Sequence, residues 1–436
     1  MSVLQPYPEY VTTRIDFLDQ IPSDWTIRPA VTLARVLTST VDKHTIEGEI
    51  PVRLCNYTDV YYNDTICDGP AYMTATATPD QIASYAVEAG DVVFTKDSET
   101  ADDIAIAAYV ETTLPGVVYG YHLSTYRPRD RRYGKFLKWL LDSKYAKATF
   151  QTRTLGVTRV GLSQNTVRYF RVPTPPPDDA ASIGEYLDQE TAEIDAFIAD
   201  QEELIGLLAE RRAATISHAV SNEAQAERLP LRRLVTFLGQ GWSPVCEVVP
   251  ASEGQWGVLK VGCVNGGIFL PSENKALPTE LEPRTQFTVR NGDILVSRGN
   301  TQELVGSAAL VESDYPRLLV SDLLYQMRVN TRRVSERFLV WALSSRAVRG
   351  QIESIAKGTS PSMQKISQGD LLNLKIWLPP LAVQHEVEVR VSSETLELDA
   401  AIADAKDAIG LSRERRAALI SAAVTGKIDV RERGVS

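Results

Sequence analysis

Residues 190–220, ETAEIDAFIADQEELIGLLAERRAATISHAV, return at 394–424 as ETLELDAAIADAKDAIGLSRERRAALISAAV, without a gap and with 20 of 31 positions identical. A repeat decides an architecture before any single element does, and this one extends outward. The same shift of 204 carries Ser163, Gln164, Pro175 and Pro176 onto Ser367, Gln368, Pro379 and Pro380, and sets Arg28, Val31 and Thr32 on Arg232, Val235 and Thr236. Between those anchors a shift of 202 sets GDVVF (90–94) on GDILV (292–296), FLKW (136–139) on FLVW (338–341) and Gly156 on Gly358. Two heptad-like helices alone could match by chance, but collinear matches along the whole unit could not. The chain is one unit of about 204 residues used twice.

The matched segments read as long helices. Prolines 173, 175, 176 and 177 stop what precedes, and Asp178 and Asp179 supply cap candidates and negative charge where a helix N-terminus favours it. Ile183, Leu187, Ile194, Ile198, Ile205 and Leu208 follow at spacings of 4, 7, 4, 7 and 3, which keep one seam on one face. Val387, Val391, Leu398, Ile402 and Ile409 repeat it in the second copy. A helix of about 40 residues spans on the order of 60 Å, and with a single apolar stripe it needs a partner. The nearest partner is the other copy, returning antiparallel as a coiled coil.

The remaining sequence reads as mixed α/β. PVRLCNYTDVYY (51–62), GDVVFTKD (90–97), IAIAAYV (104–110), GDILVSRG (292–299) and LLYQMRVN (323–330) have the character of strands and hairpins. One helix per unit is expected at about 134–148 and 335–350. The organisation predicted is an N-terminal segment (1–21), a mixed α/β domain (22–177), a helical spacer (178–226), a second α/β domain (227–380), and a second helical spacer with a tail (381–436).

Composition narrows the function. The 436 residues carry 46 basic and 56 acidic side chains, a net charge of −10, which at first argues against a nucleic-acid binder. The start shows no apolar segment behind a basic one, and no run of about 18 apolar residues occurs, so the expected location is the cytoplasm. Cys55, Cys67, Cys246 and Cys263 form no CxxC pair, which predicts reduced thiols, and the four histidines are isolated. No phosphate-binding GxxxxGK[ST], GxGxxG after a strand, HExxH, GxSxG or Asn-Pro-Pro-aromatic motif is present, so the chain reads as non-catalytic.

The charge is segregated. Residues 121–171 hold twelve basic residues against Asp130 and Asp142, and residues 284–349 hold ten arginines against six acids. Residues 172–210, by contrast, hold eleven acids and no Lys or Arg. Basic clusters interleaved with aromatic residues suit phosphate neutralisation, and arginine forks read guanine edges. Arg127, Arg129, Arg131 and Arg132 in a Pro-containing loop, with Lys135 beyond them, are therefore candidate DNA contacts, whereas Trp139 and Trp341 read as packing anchors. The acidic helix face is in part a solvated surface and in part a docking surface for a basic partner.

PVRLCNYTDVYYND (51–64), the GDVVF and GDILVSRG turns, the GTSPSMQKIS loop (358–367), the Pro-Pro boundary before a long helix and the ERRAALISAAVTGKID tail together resemble the specificity subunits of type I DNA restriction-modification enzymes. The resemblance covers nearly the whole chain, twice over and in order. It implies two target recognition domains, each reading one half of a bipartite duplex sequence, separated by antiparallel helices that set the unread gap. It implies two modification (methyltransferase) subunits as partners, which bind S-adenosylmethionine, and restriction subunits that use ATP and Mg2+, with no cofactor and no metal in this chain. It places DNA contacts at Ser297, Arg298, Asn300 and Thr301 and their counterpart Lys96, and at Lys357, Thr359 and Ser360 with Thr158 and Arg159 in the other copy. The basic residues Arg53, Lys260, Arg332 and Arg333 complete the candidate set. Two other readings stay open: a coiled-coil scaffold without DNA readout, and a DNA-recognition protein of the same build serving another defence system.

Overall fold

The computed structural model describes residues 5–69, 71–156, 158–221, 227–246, 248–358 and 363–431. The long helices form where the apolar period places them, over Pro177–Val220 and Leu381–Val424. Each has 44 residues, roughly 66 Å at 1.5 Å per residue. The chain divides into two compact units, one of residues 1–201 with 407–436 and one of residues 202–406. Each unit therefore contains an end of both long helices.

In the first unit a five-stranded sheet runs in the order Ala34–Thr38, Leu123–Pro128, Val92–Thr95, Ala107–Val110, Thr65–Ile66. A four-stranded sheet follows the order Met73–Ala77, Ile50–Cys55, Leu114–Tyr119, Ala86–Val87. The second unit repeats the first four strands of the one, Val235–Gln240, Leu324–Val329, Ile294–Ser297, Ala308–Leu310, and all four of the other, Asn274–Ala276, Gly257–Leu259, Tyr315–Leu319, Thr288–Val289. The architecture is mixed α/β built twice on a pair of long helices.

Each core joins the sheets to the helix ends. Phe94, Phe136, Leu137 and Phe170 pack with Ile183 and Leu187 from the first long helix and Ile420, Ala423 and Val424 from the second. In the other unit Phe338, Leu339 and Met327 pack with Ile216 and Val220 and with Val387 and Val391. The helices run antiparallel within each unit, as the Arg416–Asp195 ion pair (3.0 Å) and the Arg212–Asp399 ion pair (2.7 Å) show. The two pairs are the same contact under the shift of 204. Of the expected seam, Ile183, Leu187, Ile194, Val387, Val391 and Ile409 are buried, and Ile198, Ile205, Leu208, Leu398 and Ile402 are half-buried. Thr191 and Thr395 complete it, each returning its hydroxyl to the carbonyl four residues back (2.6 and 2.8 Å), which lets a polar residue occupy an apolar seam.

Three expectations are corrected. The single helix near 134–148 is two helices, Gly134–Asp142 and Lys144–Gln151, because Ser143 is extended and its hydroxyl caps the second one. Glu336–Ser344 and Arg346–Ile355 break at the extended Ser345, whose hydroxyl instead donates to the Ala342 carbonyl (2.7 Å). Only the first half of 51–62 is a strand: Asn56 and Asp59 make a capping box that starts a helix over Tyr57–Tyr61. The entry strands also pair differently from the alignment at 204. Pro29 faces Arg171 and Pro230 faces Lys375, a correspondence of 201, and an irregularity between Val235 and Phe237 restores 202.

A polar joint recurs at each helix end. The Lys144 N–H donates to the Ser421 hydroxyl (3.0 Å) and the Arg346 N–H to the Ser217 hydroxyl (3.1 Å). Each serves an N–H at a helix start that has no intrahelical partner. The serines belong to the most repeated stretch of the sequence, which explains one of its identities.

Candidate nucleic-acid interface

Both units carry the same two-stranded ribbon at the end of the central sheet strand. In the first, Asp97–Ser98 pairs with Val160–Gly161, and in the second Gly299–Asn300 pairs with Gln364–Lys365. The flanking backbone bonds match: Lys96 N–H to His122 O and Leu162 N–H to Lys96 O, against Arg298 N–H to Leu323 O and Ile366 N–H to Arg298 O. One scaffold thus presents Lys96, Asp97, Ser98, Val160 and Gly161 in one unit and Arg298, Gly299, Asn300, Gln364 and Lys365 in the other.

Several candidates gather here. In the first unit Lys96 is half-buried, and burial pulls its ammonium below the usual lysine range against the opposing pull of Asp97. Thr158 and Arg159 are exposed beside it, with the Arg159 guanidinium 3.5 Å from Asp97. In the second unit Arg298 donates to the Asp322 carbonyl (3.3 Å). Asn300 accepts from Thr301 N–H (2.9 Å) and donates to Asn265 (3.4 Å). Lys357, exposed, bridges to Lys365 through the backbone. Ser297 is fully buried, and its hydroxyl donates to Leu304 O (2.8 Å), so it shapes the loop from within. Thr359 and Ser360 lie outside the described residues.

The remaining candidates scatter. Arg127, expected to grip phosphate, is locked inside its unit: its guanidinium bonds Asp91 (2.8 Å), Glu88 and the Ala86 carbonyl. Its counterpart Arg328 holds Asp293 (2.7 Å) in the same way. These arginines neutralise the fully buried aspartates of the two GD turns, where Gly90 and Gly292 supply the positive φ. Arg132 pairs with Asp130 and with Asp178 at the long-helix start, and Lys135 pairs with Asp188 (2.6 Å). Arg53 meets Asp68 and the Pro115 carbonyl on the second sheet, Lys260 meets Glu273, and Arg333 meets Glu227. Arg129, Arg131 and Arg332 are exposed, with no ion pair among the described residues. Much of the apparent basic excess is thus spent inside the protein.

Sequence reading missed His122. Its Nδ1 lies 2.7 and 2.9 Å from the two Asp97 oxygens, and Tyr57 packs edge-on against the ring at 6.4 Å. The separation of 25 residues gave no local signal.

A groove recurs in each unit between the long helices and the short helix Gly134–Asp142 or Glu336–Ser344. In the first, of about 620 Å³, Trp139, Thr191, Asp195 and Arg416 line it. In the second, of about 590 Å³, Trp341, Thr395, Asp399 and Arg212 do so. These are repeat-equivalent residues.

Fold and ribbons define a duplicated α/β protein carrying two versions of one two-stranded ribbon on a pair of long helices. No protein-family model matches the chain. It is similar to type I restriction enzyme specificity subunits. Against the EcoEI specificity subunit of Escherichia coli it is 34% identical over 155 residues, 35% of this chain and 26% of that relative. Against the EcoKI specificity subunit of Escherichia coli strain K12 it is 21% identical over 390 residues, 85% of this chain and 82% of that one. The stronger match thus spans about a quarter of its relative's length. A chain from a solved structure concerning assembly and conformational transition of the type I R-M system shares the fold, with a TM-score of 0.62 and 16% identity over 94% of this chain and 99% of that one. No helix among the described residues is long and apolar enough to cross a membrane.

Proposed function

We propose that this chain is the DNA-reading specificity subunit of a type I restriction-modification complex. Each unit reads one half of a split duplex target, and the long helices set the gap. The observation that carries the reading is the ribbon made twice on one backbone with different side chains. A duplicated scaffold that keeps its hydrogen bonds and changes its presented groups is what two different half-sites require. The chain contributes no chemistry. The paired grooves suit two copies of one partner, and modification subunits binding S-adenosylmethionine would dock there and on the acidic helices. Restriction subunits using ATP and Mg2+ would complete the complex.

The net charge fits this division. With −10 overall, the chain alone gains little from phosphate neutralisation, so tight binding awaits partners. The test is selection of bound duplexes from a random library by the full chain with its modification subunits. A split motif with a fixed gap is expected. A chain that retains no duplex, even with partners, overturns the reading in favour of a scaffold.

A further inference from the structure

The two ribbons differ most sharply at one position. Asp97 stands where the second unit has Gly299, so the first unit presents a carboxylate where the second presents bare backbone. A carboxylate facing a polyanion is unfavourable unless it is offset and used. Here it is offset by Arg159 at 3.5 Å and by the neighbouring Lys96. It is also aimed: both oxygens lie within 2.9 Å of His122 Nδ1. The counterpart of His122 is Leu323, which has no such partner to hold, as their matching backbone bonds to Lys96 and Arg298 show. His122 in turn packs against Tyr57, which interacts with Ser98 of the same ribbon. The Asp97 side chain remains one-fifth exposed. A carboxylate has about four lone-pair sites, so it keeps accepting capacity on its open side.

Resting on the function proposed above, we propose that Asp97, oriented by His122 as a positioning residue, is a specificity-determining acceptor for the exocyclic amine of a cytosine or adenine in the first unit's half-site. Such amines are the donors that the major groove offers to an acceptor-only side chain. Guanine and thymine present oxygen at the corresponding place and would be repelled. The second unit, with glycine there, applies no such filter.

The test compares motifs selected from a random duplex library by the full chain with its modification subunits. In the Asp97→Ala variant, which removes the acceptor, discrimination at one base position of one half-site falls about 10- to 100-fold, the worth of a good base contact, while the other half-site keeps its sequence. His122→Leu, which installs the second unit's residue, lowers discrimination at that same position, and His122→Gln, which can still donate to the carboxylate, restores part of it. Unchanged motifs in both variants overturn the inference, as does a uniform loss of affinity across all sequences, which a merely structural latch would give. If the unsubstituted chain selects no split motif, the functional reading fails first, and this inference with it.

Discussion

Where the first unit buries Lys138, the second buries Val340, on helices aligned through FLKW and FLVW, and Asp142 is likewise replaced by Ser344. The Lys138 ammonium holds Asp64 (3.1 Å) and Asp142 (3.0 Å) and lies 3.5 Å from the Trp139 ring centroid, with only 4% of its side chain exposed. Asp64 also reaches Arg416 of the second long helix (3.5 Å). In the second unit Val340 sits in an apolar core, and the nearby ion pair, Arg337 with Glu312, is half-exposed. The difference shows that the duplicated backbone does not require one kind of core. Geometry has been kept while the first unit turned to buried ions and the second to apolar packing. Freedom of that kind lets the ribbons diverge as well.

The largest expected effect breaks this asymmetry. Lys138→Ala leaves the largely buried Asp142 without its cation, while the exposed Asp64 keeps Arg416, and should cost about 3 kcal/mol, whereas Val340→Ala removes two methyl groups from an apolar core and should cost about 1–2 kcal/mol. Urea titrations of the two variants would compare them, and equal losses would refute the contrast. Next come the tryptophans. Trp139 donates from its indole nitrogen to Asp188 (2.7 Å), and no such bond is described for Trp341. Trp139→Phe should therefore cost about 1–3 kcal/mol and Trp341→Phe less, read in the same titration.

The serine joints sharpen the comparison from the opposite side. Ser217→Ala and Ser421→Ala remove equivalent caps and should each cost about 1 kcal/mol, so unequal losses would show that the joints are not equivalent. The smallest effect is one of pH. Ser367, through its hydroxyl and then its backbone N–H, holds the Asp370 carboxyl below its usual range, whereas the first unit's equivalent cap pairs Ser163 with Thr166. Because the folded value is depressed, the stabilisation is present above the unfolded value of about 3.9 and is lost as pH falls through the folded one. Hydrogen-exchange protection over Gln368–Asn373 should fall in acid, while protection over Gln164–Arg168 should show no such step.

What was legible in the sequence followed from period and repetition. The long helices, their seam and their antiparallel return were read from heptad spacing, and the GD turns from their recurrence. The seam's threonines were not, because a hydroxyl that bonds its own helix is invisible to a hydropathy pattern. The arginine loop was read as phosphate-facing because local sequence shows charge but not its partner: Asp91 is 36 residues from Arg127. His122 escaped for the same reason. The entry strands slipped because a few identities in a divergent stretch do not set register, whereas ladder partners do. The break at Ser143 was hidden inside an apolar period that continues through it.

The measurement bearing most directly on the account is the gap of the selected target after the same seven residues are removed from both long helices. Seven residues shorten each helix by about 10.5 Å at 1.5 Å per residue, roughly three base pairs, and keep the apolar face nearly in place. Because three base pairs also turn the duplex by about 100°, the deletion should shift the gap or abolish the split motif, and the original spacing should no longer be bound. Full-affinity binding of the original spacing would contradict the account.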